Sequence, residues 1–166
     1  AMMADQKIYL ITQQNPDVAE PGFEDLYRAG TVARIKNLAK LPKNIIRVMV
    51  EGLERARLLD MSDEDGYLKA EIAVYTPSEG EEPSGPGTVA MTRALRDIFA
   101  AYCAENPKVG KELSRQILEI NDLGKLVDQI SINLPLYYED KQRILEADSL
   151  ESRYDTLCTI IGNELE

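Results

Sequence analysis

Histidine and tryptophan are absent from this 166-residue chain, and cysteine occurs only twice. Without histidine, a Ser-His-Asp triad, a Cys/His zinc site and imidazole acid–base chemistry all lack their parts. Cys103 and Cys158, in an acidic chain with no signal-peptide pattern, read as reduced thiols of a cytoplasmic protein, packed as small hydrophobes. No apolar run approaches the ~20 residues of a membrane span, so no membrane partner is expected. Basic charge is in deficit. Lys and Arg total 19 against 29 Asp and Glu, a net −10 that opposes wrapping a nucleic-acid backbone with the whole surface. What is present, 44% hydrophobic and 29% charged residues, is the composition of a chain that folds. Its length suits one ordinary domain or two small ones, which leaves no room for an ATP-driven machine.

The strongest break is Thr76 to Gly87, where three prolines, three glycines and three glutamates leave almost nothing to bury. Three parts follow: a β subdomain over 1–76, a linker over 77–87 and a helical subdomain over 88–166. Charge divides unequally, with a net −2 over residues 1–78 and −8 over 79–166. The first part reads as strands at Lys7–Thr12, Gly30–Leu38, Asn44–Glu51, Glu54–Met61 and Gly66–Thr76, with one helical turn at Phe23–Tyr27. In the last strand Leu68, Ala70, Ile72 and Val74 alternate with Tyr67, Lys69, Glu71 and Ala73, the period of a sheet with one buried face. By the same period Ile46, Val48 and Val50 form a core strip, opposite Ile45, Arg47, Met49 and Glu51. Strand centres about ten residues apart suit an antiparallel β-barrel or curled sheet, not βαβ units.

The second part reads as helices. Met91, Leu95, Ile98 and Tyr102 share one stripe, Leu113, Ile117 and Ile120 a second, and Leu123, Leu126, Val127, Ile130 and Leu134 a third. Pro107 and Pro135 place boundaries at Asn106 and Leu134. A short helix through Ile144 and Leu145 follows, and Asp148 with Glu151 resembles a capping box that starts a last helix. That helix meets no stop signal before the chain ends, and the chain starts just before an apolar strand. It reads as a fragment cut at both ends.

Motifs for chemistry are scarce. Gly110-Lys111 and Gly124-Lys125 have Glu105 and Glu119 where a phosphate loop needs its first glycine, so nucleotide binding by that motif is rejected. Ser114 with Lys111, and Ser131 with Lys125, have serine–lysine dyad composition but lie on charged, solvated helices that cannot lower a lysine pKa. The acidic clusters Asp63–Asp65 and Glu79–Glu82 lack the periodicity of a calcium loop. One segment opposes the overall charge: Gly30 to Arg57 holds seven basic and two acidic residues. Such a basic, partly apolar sheet face can bind an extended peptide or a nucleic-acid strand, with a solvated strand face as the alternative. It carries no aromatics, which lowers the RNA reading.

The run Gly30-Thr31-Val32-Ala33-Arg34-Ile35, then Leu41-Pro42, then Ile46-Arg47-Val48-Met49-Val50-Glu51-Gly52-Leu53-Glu54-Arg55-Ala56, strongly resembles the amino-terminal domain of bacterial Lon, the ATP-dependent protease. Lys7 to Asn15, Asp128 to Leu134, Lys141 to Glu146 and Arg153 to Glu164 resemble further parts of it. The resemblance implies an α+β fold, a PUA-like antiparallel β-barrel or curled sheet followed by an α-helical bundle. It implies a non-catalytic module that binds unfolded, damaged or degron-bearing proteins and supports assembly with other subunits of a hexamer. ATP, Mg and serine–lysine cleavage would belong to domains absent here, so no cofactor is expected in this chain. Lon proteins open with a further strand before Ala1, and its loss would leave a sheet edge unpaired. By position, Gly30 and Gly52 match family glycines and are expected at turns. Arg47 and Arg55 match family arginines, whose pairing with Glu51 or Glu54 and whose substrate contact are both open. Ile45 and Met49 are candidates for a substrate patch, since Met adapts to varied surfaces. Tyr137 and Tyr138 are a second candidate, with core packing expected for at least one. The rival reading is a nucleic-acid binder using Arg34, Lys36, Lys40 and Arg47.

Overall fold

A computed structural model describes residues 6–76 and 85–166. The chain divides into two compact units, Ala1–Thr76 and Pro77–Glu166. The first is a four-stranded antiparallel sheet in the order β1 (Lys7–Leu10), β2 (Ala29–Leu41), β3 (Ile45–Ser62), β4 (Lys69–Val74), with a 3₁₀ turn at Phe23–Asp25 before β2. Each strand pairs with its neighbours in sequence, which makes an open curled meander among the described residues.

The two strands expected over 44–51 and 54–61 are one continuous strand of 18 residues. Gly52 therefore sits inside β3, not at a turn. The register passes from Val32↔Glu54 to Ala33↔Gly52, so Leu53 is the extra residue of a bulge. A bulge keeps the ladder intact on both sides while adding twist, and it removes the need to break the strand at the glycine. Gly30 likewise lies within β2. Its requirement is close approach: an added Cβ would collide with the Leu10 carbonyl oxygen and lie 2.7 Å from the Tyr9 hydroxyl. That hydroxyl donates to the Ala56 carbonyl at 2.9 Å. Positive φ falls elsewhere, among other places on Lys43 and Asn44 in the β2–β3 turn, at 64° and 58°, and on Gly66 in the β3–β4 turn, at 75°.

The sheet unit buries little: Leu26, Ala29, Val32, Ala33, Ile35, Ala56 and Leu58. The expected core strip Ile46, Val48 and Val50 is instead 55%, 39% and 38% exposed. On β4 the expected buried face fails as well, with Val74 and the preceding Leu68 exposed and Ile72 half-buried. Alternation sorts side chains onto two faces but by itself buries neither: β1 and β4 pair edge-on with Thr31–Arg34 of β2 and Ala56–Ser62 of β3, and among the described residues nothing packs over these exposed positions.

The second unit holds α1 (Pro86–Glu105), α2 (Lys111–Leu118), α3 (Leu123–Asn133), α4 (Tyr138–Glu146) and α5 (Leu150–Glu164). Leu95, Phe99, Tyr102, Ile117, Leu126, Val127, Ile130, Leu157 and Ile161 form its core. Helix α1 takes in Pro86 and Gly87, because proline fits the first turn and gives up only an amide that has no helical partner there. The rest of the expected linker, residues 77–84 with the Glu79–Glu82 cluster, lies outside the described residues. Asn106 and Leu134 cap α1 and α3. Leu113, expected on a buried stripe, is exposed. The last helix starts one residue later than expected: Ser149 caps it, accepting from the Ser152 amide at 3.1 Å, and Leu165 is its C-cap.

Candidate functional site

Beyond its pairing with β1 and β4, the β2–β3 hairpin continues as a two-stranded ribbon. Asn37↔Met49 to Leu41↔Ile45 pair only with one another, and the turn Pro42-Lys43-Asn44 closes the end. The last outer bond of β2 runs from the Ile35 amide to the Gln6 carbonyl, and the nearest outer bond of β3 from the Tyr75 amide to the Arg55 carbonyl. Residues 36–41 and 45–54 thus present outer backbone edges without a strand partner among the described residues.

Pairing sorts the ribbon side chains onto two faces. One carries Leu41, Ile45, Arg47 and Met49; the other carries Leu38, Lys40, Ile46, Val48 and Val50. Both faces are apolar and open, with Met49 64% and Ile45 55% exposed. Isolated hairpins of this kind gain little from burial, so side chains this apolar at such exposure are a feature of binding surfaces. At the base, Lys36 Nζ pairs with Glu51 at 2.7 Å. The Lys36 hydrogen bond and charge hold the Glu51 carboxyl below its usual range, and Arg34, opposite it in register, adds to this. Lys40, Lys43 and Arg47 have no ion pair among the described residues.

Five of the candidate residues, Lys36, Lys40, Ile45, Arg47 and Met49, therefore lie together on this ribbon, and Arg34 adjoins its base, where β2 still pairs with β1. Ile46, Val48 and Val50 join them, which sequence reasoning missed by assigning that strip to the core, and Leu41 joins them from the end of β2. Arg55 is half-buried farther along β3, its guanidinium 5.6 Å from the Tyr75 ring centre, and Glu51 is taken by Lys36. Tyr137 and Tyr138 lie at the start of α4, on the other unit, and both are exposed, 77% and 41%, so core packing fails for the pair. Tyr137 occupies the N-cap position of α4 and Tyr138 its first helical residue.

Other polar groups are committed locally. Ser114 Oγ donates to the Lys111 carbonyl at 3.0 Å and Ser131 Oγ to the Val127 carbonyl at 2.7 Å, so neither hydroxyl turns to a lysine amine. Asp65 pairs with Lys69. Cys103 and Cys158 are free and half-buried; burial pushes both thiols up and keeps them protonated. Among the described residues no three of His, Cys, Asp and Glu gather to hold a metal ion, and no helix is long and apolar enough to cross a membrane.

The family model of the ATP-dependent protease La (LON) substrate-binding domain matches residues 1–163. The chain belongs to this family. The Lon protease of Lachnoclostridium phytofermentans is 42% identical over all of this chain and 20% of its own length. That of Brevibacillus choshinensis is 38% identical over all of this chain and 21% of its own length. The chain thus spans about a fifth of the curated relatives it matches. Among solved structures, the N-terminal domain of the Mycobacterium avium complex Lon protease superposes with a TM-score of 0.70 at 16% identity, covering 97% of this chain and 92% of that one. A Lon N-terminal domain protein from Xanthomonas campestris gives 0.55 at 14% identity, covering 93% and 89%. Both carry the same α+β fold.

Proposed function

We propose that this chain is the non-catalytic, substrate-capturing module of a cytoplasmic ATP-dependent Lon protease. It holds unfolded or degron-bearing protein segments, while ATP, Mg and serine–lysine cleavage belong to other domains of the whole protein. Contacts with further subunits of an oligomer are part of the same proposal. The observation that carries the reading is the ribbon, apolar on two faces and with no covering layer among the described residues. Non-native chains offer apolar side chains in no fixed arrangement, and a projecting strip with an adaptable Met suits such partners.

The test is binding of a reduced and alkylated unfolded protein to the chain, with its folded, disulfide-intact form as control. Unfolded protein is expected to bind, folded protein not, and Ile46→Asp with Met49→Asp to weaken binding about tenfold, equivalent to ~1.4 kcal/mol. Both side chains are exposed, so thermal unfolding of the double variant should match the parent. Equal binding of the folded control would defeat the reading. Binding that falls steeply with salt and is competed by single-stranded nucleic acid would favour the nucleic-acid alternative through Arg34, Lys36, Lys40 and Arg47.

A further inference from the structure

We propose that Met49 is an oxidation site: a hydroperoxide converts its thioether to the sulfoxide, and the polar oxygen set on an apolar face of the ribbon weakens substrate capture. The inference rests on the substrate-capture reading above and names a means of regulating that same site.

Placement carries it. Of the three methionines among the described residues, Met61 and Met91 are half-buried, Met91 against the helical core, whereas Met49 is the most exposed apolar side chain of the ribbon. Register pairs it with Asn37 and puts it on one face with Leu41, Ile45 and Arg47. From Arg28 to Gly66 the chain has no aromatic residue, so no ring of the ribbon lies against the sulfur. A thioether reacts as a neutral nucleophile, and access to the sulfur then decides which methionine is oxidised first. The two cysteines compete poorly for the same oxidant, because thiols react as thiolates and burial keeps Cys103 and Cys158 protonated.

The step is a two-electron oxygen transfer. A sulfur lone pair attacks one peroxide oxygen, and the S–O bond forms as the O–O bond breaks. The proton of the transferred oxygen passes to the departing one, which leaves as water or, from an organic hydroperoxide, as an alcohol. Sulfur is oxidised by two electrons and the peroxide reduced by two. The backbone pairing of Met49 with Asn37 does not involve the side chain, so the ladder survives and only the face changes. A thioether adapts to apolar partners, but a sulfoxide oxygen loses its water when an apolar segment covers it and offers no donor in return. Methionine sulfoxide reductases restore the thioether, which makes the change reversible.

The experiment treats the full chain with hydrogen peroxide, removes the oxidant, maps sulfur oxidation by peptide mass spectrometry, and then measures binding of the reduced and alkylated unfolded protein. Met49 is expected to oxidise several-fold faster than Met61 or Met91. The chain oxidised at Met49 should bind about tenfold more weakly, with unchanged circular dichroism. Methionine sulfoxide reductase should return the lost affinity. The Met49→Leu chain, compared with itself before and after peroxide, should lose nothing, a control that also covers Met2 and Met3. Oxidation of Met61 or Met91 ahead of Met49, a Met49 sulfoxide that binds as tightly as the thioether, or an equal loss in Met49→Leu would each overturn the proposal. Capture by the untreated chain would then leave the broader function standing, whereas an untreated chain that captures nothing removes both.

Discussion

Tyr9 shows how one side chain can set the requirements of two others. Its ring fills the space that a Cβ on Gly30 would need, and its hydroxyl reaches across to the Ala56 carbonyl on β3. Burial, with Tyr75 nearby, pushes the hydroxyl up to about 12 from its usual 10. Both folded and unfolded states hold the proton below pH 10; between there and about 12 the unfolded state releases it first, so stability is lost as pH rises through that window. Tyr9→Phe should therefore cost about 1 kcal/mol at neutral pH, the net value of a hydrogen bond. Its deficit against the parent should narrow in thermal unfolding as pH is raised above 10. A deficit constant with pH would place the hydroxyl in solvent. Nothing in the sequence around Gly30 reveals this partner, because Tyr9 comes from a strand some twenty residues earlier and the glycine alone reads as a turn. Ile45 and Met49 were legible as exposed because alternation puts them with Arg47 and Glu51, and charged residues mark the wet face.

Helix ends are decided by which of several competing residues reaches the free amides. Asp148 and Ser149 are both good caps, and spacing to Glu151 favours the first; the structure uses the second, with Ser149 Oγ accepting from the Ser152 amide. Ser149→Ala is expected to cost about 1 kcal/mol in urea unfolding and Asp148→Ala much less. The reverse order would return the cap to Asp148. Elements with a strong apolar period, such as α3 with Leu123, Leu126, Val127 and Ile130 buried, were legible because a period of 3.6 has one outcome in a bundle. Strand β3 was not. Gly52 in a polar setting signals a turn, whereas a bulge at Leu53 lets the strand continue, and only cross-strand register distinguishes the two. The same continuation carries Ile46, Val48 and Val50 out of the core and makes them part of the candidate site.

Across the whole molecule the two units differ in how they are held. The helical unit has a core of large side chains, Tyr102, Phe99 and Leu95 among them, all but inaccessible to solvent. The sheet unit is held by backbone ladders and a smaller buried set, Leu26, Val32, Ile35 and Leu58 with Ala29, Ala33 and Ala56. Division near Thr76 was legible from composition, since a proline- and glutamate-rich run cannot contribute a core. The ribbon as a projecting element was not, because its apolar alternation is identical to that of a buried strand and what differs is that no described residue packs above it. Few buried contacts and exposed ladder bonds also make the ribbon the part of the sheet expected to exchange amide protons fastest. Hydrogen exchange of the full chain, with and without saturating unfolded protein, is the most direct test that this ribbon is where substrate is held. The expected result is slowed exchange confined to residues 36–54, with the amides of α1 and α3 unchanged; saturated binding with no slowing in that segment, or slowing only around Tyr137 and Tyr138, would contradict it.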